Sequence, residues 1–342
     1  MNPKVKLPPV IFGTSCLGNI YEATSYEDKF KIVKACIENA PGGKAVFDTA
    51  GKYGAGLALE TLGKSLQELK FLPDEVIISN KLGWYQTKLT TPEPTFERDI
   101  WKGLKHDAIQ KISYEGIQEC YEQGNKLLGN YKSQMVSVHD PDEYLDAATD
   151  KSDEEIRFTH ILNAYKALFE LKEKGQVSSV GIGAKNWKAI KRISEFVDLD
   201  WIMIANSLTV FSHPKDLLTF LNTMHKKNVT IINSAVFNGG FLIGSDYFNY
   251  VHVDKQTERG KYLYQWRNDF FSICKEFNIE PATACFNFAF NLPCVDSIAL
   301  STKRADRVGS NVMMATKLVP YSFWEAMADK GLIKLSDIKK YK

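Results

Sequence analysis

The sequence of 342 residues lacks the features of several classes of protein. Its apolar runs are all far shorter than the ~20 residues that a membrane span requires, and its N-terminus has no long apolar core of a secretory signal. Basic and acidic side chains nearly balance, 43 against 41, so no broad positive field for nucleic acid is present. We therefore expect a cytoplasmic protein that binds neither nucleic acid nor membrane.

Metal-binding patterns are also missing. The six cysteines are scattered without a CxxC pair, and the six histidines show no HxxxH spacing. Scattered cysteines in a chain of this size are typical of reduced thiols. A zinc site needs clustered ligands, which this sequence does not display, so we predict no metal site.

What the sequence does contain is an alternation of short strand-like runs with longer helical segments, in about eight units. Strands separated by helices indicate a parallel sheet, and eight units in roughly 300 residues suit a closed barrel. The predicted fold is α/β, a single (β/α)8 TIM barrel domain over residues 1–342 with long loops at its C-terminal mouth. An open doubly wound sheet is the alternative, although no GxGxxG fingerprint opens a strand–helix unit.

Four polar residues follow predicted strands at the end where such barrels carry their active sites. Asp48 and Tyr53 follow the second strand in "VFDTAGKYG", Lys81 lies at the end of the third in "IISNKLG", and His139 ends the fourth in "VSVHDP". Taken singly, each residue has an ordinary structural explanation. Asp48 is typical of a cap, Tyr53 of a packed ring, Lys81 of a solvated lysine and His139 of a residue that stabilises a turn. Their shared position and order are what make them candidates for catalysis.

With these segments the chain resembles the aldo-keto reductases, which carry an Asp, Tyr, Lys and His tetrad at the same strand ends. The resemblance continues through "SYEGIQECYEQGNKLLG" and "VDSIALSTKRADRVGSN", so it covers nearly the whole chain. Within the family, "VHDPDEYL", "GIGAKNW" and "IINSAVFNGGFL" look most like the aldose 1-dehydrogenase branch. The resemblance implies an oxidoreductase that oxidises an aldose of the L-fucose, L-galactose or D-arabinose type at C1 to the lactone.

The chemistry of the four residues agrees with this implication. Hydride transfer between a carbonyl carbon and nicotinamide requires a proton to move at the oxygen. The phenol of Tyr53, with a reference pKa of ~10, is a poor base at neutral pH, and a nearby Lys81 ammonium would lower that pKa. Asp48 would hold Lys81 charged and oriented, and His139 would position the substrate oxygen.

The resemblance also implies where NADP or NAD lies, extended across the barrel mouth. Arg307 and Asn311 match the family's Arg-x-x-x-Asn at the adenosine end, and Lys303 and Arg304 add positive charge that favours NADP over NAD. At the nicotinamide end, several positions differ from the commoner reductase pattern. The implied contacts there are Gly183, Ala184, Asn233 and Ser234, and the other replaced positions are Met203 and Ser301.

Substrate contacts are expected from a long insertion after the third strand, "KLGWYQTKLTTPEPTFERDIWKGLKHD". It supplies Trp84, Tyr85 and Trp101, and aromatic faces with polar donors suit a pyranose ring. We predict that Trp84 and Tyr85 bind the substrate together with His139. A lid that packs on the barrel accounts for the same residues equally well.

Other functions fit parts of this pattern. The same residues acting in reverse would make an aldehyde or ketone reductase that uses NADPH. A regulatory subunit would keep the barrel and the cofactor with little turnover. A Schiff-base enzyme would use Lys81 as an amine nucleophile and would not need nicotinamide. The sequence leaves the oligomeric state open.

Overall fold

The computed structural model describes residues 4–334, within which twelve strands and eleven α-helices are formed. The strands are β1 (Val10–Gly13), β2 (Ala45–Ala50), β3 (Val76–Leu82), β4 (Trp84–Lys88), β5 (His106–Gln110), β6 (Met135–His139), β7 (Ser179–Ala184), β8 (Trp201–Ala205), β9 (Thr230–Ser234), β10 (Tyr247–Phe248), β11 (Val251–His252) and β12 (Ser297–Leu300). The helices are α1 (Tyr26–Glu38), α2 (Leu57–Glu68), α3 (Tyr114–Leu127), α4 (Pro141–Asp146), α5 (Lys151–Glu173), α6 (Trp187–Ser194), α7 (Lys215–Lys226), α8 (Glu258–Glu276), α9 (Pro281–Phe290), α10 (Val308–Met313) and α11 (Tyr321–Asp329).

Eight of the strands close into a parallel barrel in the order β1, β2, β3, β6, β7, β8, β9 and β12, with β12 pairing back to β1. At least one helix separates each barrel strand from the next, as the right-handed crossover between parallel strands requires. The predicted (β/α)8 barrel is therefore confirmed, and the open doubly wound sheet is not formed.

The interior of the barrel is apolar at its base and polar at its mouth. Side chains of a strand alternate between the two faces, so residues two apart share the inward face. Val46 and Met135 pack inside the barrel with Trp201, which is fully buried. Trp201 fits because Gly181 on the neighbouring strand has no side chain; a Cβ there would lie 2.0 Å from the indole. Burial of each such large side chain contributes about 2–3 kcal/mol.

Helix starts are fixed by short polar side chains. Ser25, Ser113, Asp150 and Thr257 each accept a hydrogen bond from the backbone N–H three residues further on. Caps of this kind typically stabilise a protein by about 1 kcal/mol each. None of the helices within residues 4–334 is long and apolar enough to cross a membrane.

Two excursions from the barrel build up its mouth. The insertion after β3 is an antiparallel hairpin of β4 and β5, and the segment that joins them returns to the first barrel loop. There Ile20 forms a bridge with Trp101, and the Tyr21 N–H donates to the Ile100 carbonyl at 2.6 Å. The second excursion is the small hairpin of β10 and β11, after β9.

Candidate active site

The register between neighbouring strands places three of the predicted catalytic residues at successive inward-facing positions on β2, β3 and β6. Asp48 pairs with Ser79, and Lys81 lies two residues further along β3. Lys81 in turn pairs with Ser137, and His139 lies two residues further along β6. Because residues two apart on a strand share a face, Asp48, Lys81 and His139 all point into the barrel mouth.

Contacts between these side chains are short. Lys81 Nζ lies 2.5 Å from Asp48 Oδ2 and 3.3 Å from the Tyr53 hydroxyl. The Tyr53 and His139 rings meet edge to face, with centroids 5.5 Å apart. All four side chains line one cavity of about 380 Å³ at the mouth. The structure thus brings the four predicted catalytic residues together.

The position of Tyr53 depends on a close backbone contact between two loops. Gly54 has a φ of +62°, a conformation that favours glycine, and a Cβ on it would lie 2.3 Å from the Gly18 carbonyl oxygen. A Cβ on Gly18 would lie 2.7 Å from the Tyr53 carbonyl carbon. The two glycines therefore let the loop after β2 rest on the loop after β1 and fix the backbone that carries the phenol.

Burial sets the protonation states of the site. Burial lowers the pKa of Lys81, but the interactions with Asp48 and Tyr53 together raise it by more, so the pKa of Lys81 lies above its ordinary value and the ammonium is retained. Burial raises the pKa of Tyr53 to about 12, although Lys81 opposes that rise. The sequence had led us to expect a lowered Tyr53 pKa; Lys81 acts in that direction, but desolvation of the phenolate is the larger effect.

His139 has the opposite shift. Burial, followed by the ammonium charges of Lys52 and Lys81, lowers the pKa of the His139 imidazole well below its ordinary value. The ring is therefore neutral at neutral pH. The site then pairs a protonated phenol with an uncharged imidazole that can hydrogen-bond a substrate oxygen.

Seven of the residues that line the cavity have side chains no larger than a methyl or hydroxymethyl group: Gly13, Gly183, Ala184, Ala205, Ser234, Ala299 and Ser301. Larger side chains, among them Met203 and Leu300, line the cavity beside them. The small residues leave space for a ligand next to the four predicted catalytic residues.

The predicted nicotinamide contacts are not all placed alike. Gly183, Ala184 and Ser234 line the cavity, and so does Met203. Asn233 is fully buried, donates to the Leu208 carbonyl at 2.7 Å and does not line it. Contact of these residues with a cofactor stays a prediction.

At the predicted adenosine end, Asn311 lines a small groove that shares Gly13 and Leu300 with the main cavity. Arg307, four residues before it, is exposed on the surface. Two other predicted cations are engaged by acids, since Lys303 pairs with Glu22 at 2.8 Å and Arg304 with Asp306 at 2.5 Å.

The aromatic residues of the insertion divide into two groups. Trp84 packs against Phe96, with ring centroids 5.6 Å apart, and Tyr85 lies under the Lys111 ammonium. Neither of the two lines the cavity, whereas Trp101 does. The alternative of a lid that packs on the barrel accounts for the observed positions of Trp84 and Tyr85, and their contact with substrate stays a prediction.

An ionic cluster beside the tetrad was not predicted from the sequence. Lys52 is only 4% exposed, and its Nζ lies 2.7 Å from Glu97, 3.1 Å from Glu143 and 3.4 Å from Asp140. Glu143 also pairs with Lys185. These five residues, which we call the rim cluster, join four segments at the mouth, those that follow β2, β3, β6 and β7. The one signal in the sequence is adjacency, since Lys52 precedes Tyr53 and Asp140 follows His139.

Two further lining residues, Tyr21 and Tyr250, also went unpredicted. Their φ angles are +64° and +72°, in the left-handed region that bulky residues rarely adopt. Such a conformation costs about 1–3 kcal/mol per residue and is concentrated at functional sites. Both rings are about half exposed and lie at the entrance of the cavity.

Comparison with known proteins agrees with this geometry. Residues 9–330 match the model of the aldo/keto reductase family, so the chain belongs to that family. Family membership makes it an oxidoreductase and implies a nicotinamide cofactor.

Two curated relatives are similar over nearly their full length. The chain is 25% identical over 335 residues to the pyridoxal 4-dehydrogenase of Microbacterium luteolum, a match that covers 94% of this chain and 93% of the relative. It is 25% identical over 344 residues to the D-threo-aldose 1-dehydrogenase of a Pseudomonas species, covering 96% and 95% respectively.

Solved structures share the fold at lower identity. A glycerol dehydrogenase from Gluconobacter oxydans superimposes with a TM-score of 0.68 at 15% identity, covering 100% of this chain and 96% of that one. An aldo-keto reductase from Bacillus halodurans, in its holo form, has a TM-score of 0.67 at 17% identity, covering 98% and 97%.

Proposed function

We propose that the protein oxidises an aldose at C1 to the lactone, using NADP or NAD. The observation that carries the proposal is the position of Lys81 Nζ, which contacts both the Asp48 carboxylate and the Tyr53 hydroxyl inside one cavity. This arrangement supplies a phenol whose proton can move, together with a fixed cation that stabilises the phenolate.

In the proposed reaction, the C1 hydroxyl of the cyclic sugar gives its proton to the Tyr53 phenolate. Lys81 favours that phenolate because its ammonium lies 3.3 Å from the phenol oxygen, and Asp48 keeps the ammonium oriented. His139, held neutral, hydrogen-bonds the C1 oxygen as it becomes the lactone carbonyl. A nicotinamide cofactor, when bound, supplies the acceptor for the hydride from C1. Tyr53 then returns its proton to solvent.

The substrate class is supported by the chemistry that the two relatives' names share. An aldose and pyridoxal both carry an aldehyde that closes on an internal hydroxyl to a cyclic hemiacetal, and oxidation of a cyclic hemiacetal gives a lactone. Aromatic rings of Tyr21, Trp101 and Tyr250 at the mouth, beside the charges of the rim cluster, suit a hydroxylated ring. L-Fucose, L-galactose and D-arabinose are the sugars we propose to test.

For the cofactor, we propose a preference for NADP. Arg307 is exposed, and no carboxylate within residues 4–334 forms an ion pair with it, so its guanidinium is available for a 2′-phosphate. Asn311 would hydrogen-bond the adenosine from the adjoining groove.

Reduction of an aldehyde is the second candidate, and the raised pKa of Tyr53 favours it. With a pKa of about 12, the phenol is protonated at neutral pH and is ready to act as the acid that reduction requires. A Schiff-base mechanism is disfavoured, because an amine nucleophile must be neutral and Asp48 keeps Lys81 charged.

The test follows reduced cofactor by absorbance, with NADP or NAD and the three sugars beside simple alcohols. The wild type is expected to oxidise at least one sugar, faster with NADP. In Tyr53→Phe, kcat/KM should fall by about 10²–10⁴-fold, because the variant keeps the ring but cannot exchange a proton.

Tyr131→Phe is the matched control, since Tyr131 is a buried tyrosine that donates to the Phe71 carbonyl away from the cavity. It should retain wild-type activity. Reduction of aldehydes by NADPH without oxidation of any sugar would favour the second candidate. Tight cofactor binding with no turnover in either direction would instead indicate a regulatory role.

A further inference from the structure

The two carboxylates of the rim cluster that line the cavity, Glu97 and Asp140, are held in fixed positions next to the tetrad. Both contact Lys52, whose neighbour in the chain is Tyr53. Asp140 itself follows His139. When the reacting carbon of a substrate lies against Tyr53 and His139, the atoms next to that carbon lie close to Glu97 and Asp140.

Glu97 is oriented by two donors. Its Oε1 lies 2.7 Å from Lys52 Nζ, and its Oε2 accepts from the Trp101 indole N–H at 2.6 Å. Each carboxylate oxygen has a second lone pair, so both remain able to accept another hydrogen bond. The side chain is 29% exposed, which leaves it accessible from the cavity.

Asp140 is held from the other side of Lys52. Its Oδ2 lies 3.4 Å from Lys52 Nζ and 3.5 Å from His139 Nε2, and no side chain within the described residues bonds its Oδ1. Its φ of +44° is a left-handed conformation at the first residue after β6, and strained conformations of this kind are concentrated at functional sites.

His139 independently indicates that a polar ligand is bound here. The residue is only 3% exposed and lines the cavity, its buried Nδ1 has no hydrogen-bond partner within residues 4–334, and its Nε2 has only the Asp140 carboxylate at 3.5 Å. Buried polar groups are normally hydrogen-bonded, so an imidazole that lines a cavity with so few partners points to a hydrogen-bonding ligand.

We propose that Glu97 and Asp140, positioned by Lys52, form a subsite that binds the hydroxyl groups of the sugar adjacent to C1. Their carboxylate oxygens accept hydrogen bonds from these hydroxyls, and the neutral His139 binds the C1 oxygen beside them. The subsite rests on the proposed function, because it places the sugar ring relative to the tetrad. The subsite is expected to favour substrates that carry hydroxyl groups next to C1 over substrates that lack them.

The test compares two hemiacetals that share the reacting group. One is the best sugar of the panel, and the other is tetrahydropyran-2-ol, which has no other hydroxyl. In Glu97→Gln and Asp140→Asn, kcat/KM for the sugar is expected to fall by about 10- to 100-fold, the loss of a hydrogen bond to a charged acceptor. The value for tetrahydropyran-2-ol should change little in Glu97→Gln. In Asp140→Asn it should fall by less than the value for the sugar, because the Asp140 charge also acts on Tyr53 and contacts His139.

Glu143→Gln is the matched control. Glu143 contacts Lys52 and Lys185 but does not line the cavity, so its variant weakens the same ion pairs without removing a proposed acceptor. It should leave the preference for the sugar unchanged. Thermal unfolding of all three variants shows whether each is folded.

Three results would overturn the subsite: an equal loss for both hemiacetals, an equal effect of Glu143→Gln, or no change in any variant. Failure of the proposed function gives a different pattern, in which the wild type oxidises neither hemiacetal but reduces aldehydes. The same variants are then compared with glyceraldehyde and propanal. A loss confined to the hydroxylated aldehyde supports the subsite, and a loss on both or neither overturns it.

Discussion

The two sides of the cavity are built from different parts of the barrel. Asp48, Lys81 and His139 lie at the ends of neighbouring strands, where parallel register fixes their spacing. The rim cluster and the tyrosines at the entrance lie largely on loops, and ion pairs hold the loops together. Three of the residues proposed for catalysis are thus carried by the sheet, whereas the residues proposed to bind the substrate are carried by loops, which tolerate change more readily.

The two sides also differ in their access to water. Lys81 and Asp48 form a single pair whose side chains are 5% and 6% exposed. Lys52 is equally buried, but its three partner carboxylates are 15–40% exposed. A carboxylate that reaches water can lose its cation at little cost, and one that is buried cannot.

The largest effect on stability is therefore expected from Lys81→Met. The variant leaves the Asp48 charge buried without a partner, and we expect the free energy of unfolding to fall by about 3–5 kcal/mol, measured in urea. Lys52→Met should cost distinctly less. The double variant Asp48→Asn, Lys81→Met should recover part of the loss. A greater loss for Lys52→Met than for Lys81→Met would show that the two ionic groups do not differ as described.

The pH dependence of oxidation should distinguish Tyr53, which is proposed to transfer the proton, from Glu97, which is proposed to bind the sugar. Because the pKa of Tyr53 is raised to about 12, the phenolate is a minor species at neutral pH and its fraction rises as pH rises. kcat/KM for oxidation should then increase about tenfold per unit between roughly pH 7 and pH 10. The charged groups that act on the phenol are Lys81, Asp48 and Asp140.

Glu97→Gln should retain this slope at a lower overall rate, since Glu97 is proposed to bind hydroxyls and not to transfer the proton. A flat profile in the wild type would mean that another group takes the proton or that a different step limits the rate. Loss of the slope in Glu97→Gln would show that Glu97 takes part in the proton transfer.

The smallest effect is expected at Tyr250. Asparagine adopts left-handed backbone more readily than tyrosine, so Tyr250→Asn should relieve strain and raise the Tm by about 1–3 °C while kcat/KM for the sugar falls. Tyr262→Asn is the control, because Tyr262 is similarly exposed but lies within α8. It should leave activity unchanged and lower the Tm slightly. Equal losses of stability in both variants would contradict the strain at Tyr250.

What could be predicted from the sequence follows the same division. Alternation of strands and helices predicted the barrel, and strand ends predicted that Asp48, Lys81 and His139 would meet, because a parallel barrel collects the carboxyl ends of its strands at one mouth. The pairing of Lys52 with Glu97 was missed, since it depends on how the insertion folds back. The same folding decides that Trp101 lines the cavity and Trp84 does not.

The net pKa of Tyr53 was beyond the sequence for another reason. A lysine near a tyrosine is visible in a motif, whereas the degree of burial is a property of the closed cavity. Sequence reasoning therefore gave the direction of the Lys81 effect and missed the larger effect of desolvation.

The contact between Gly18 and Gly54 has a consequence for the ancestry of the site. Neither residue can acquire a side chain without displacing the backbone of the loop that carries Tyr53, so we expect both positions, distant in the chain, to stay glycine wherever Tyr53 is used. Among related sequences, a larger residue at either position would mark a lineage in which the tyrosine no longer needs to be held in place. Although the two glycines take no part in the chemistry, their presence is thus expected to distinguish related proteins that keep Tyr53 in position from those that have kept only the barrel.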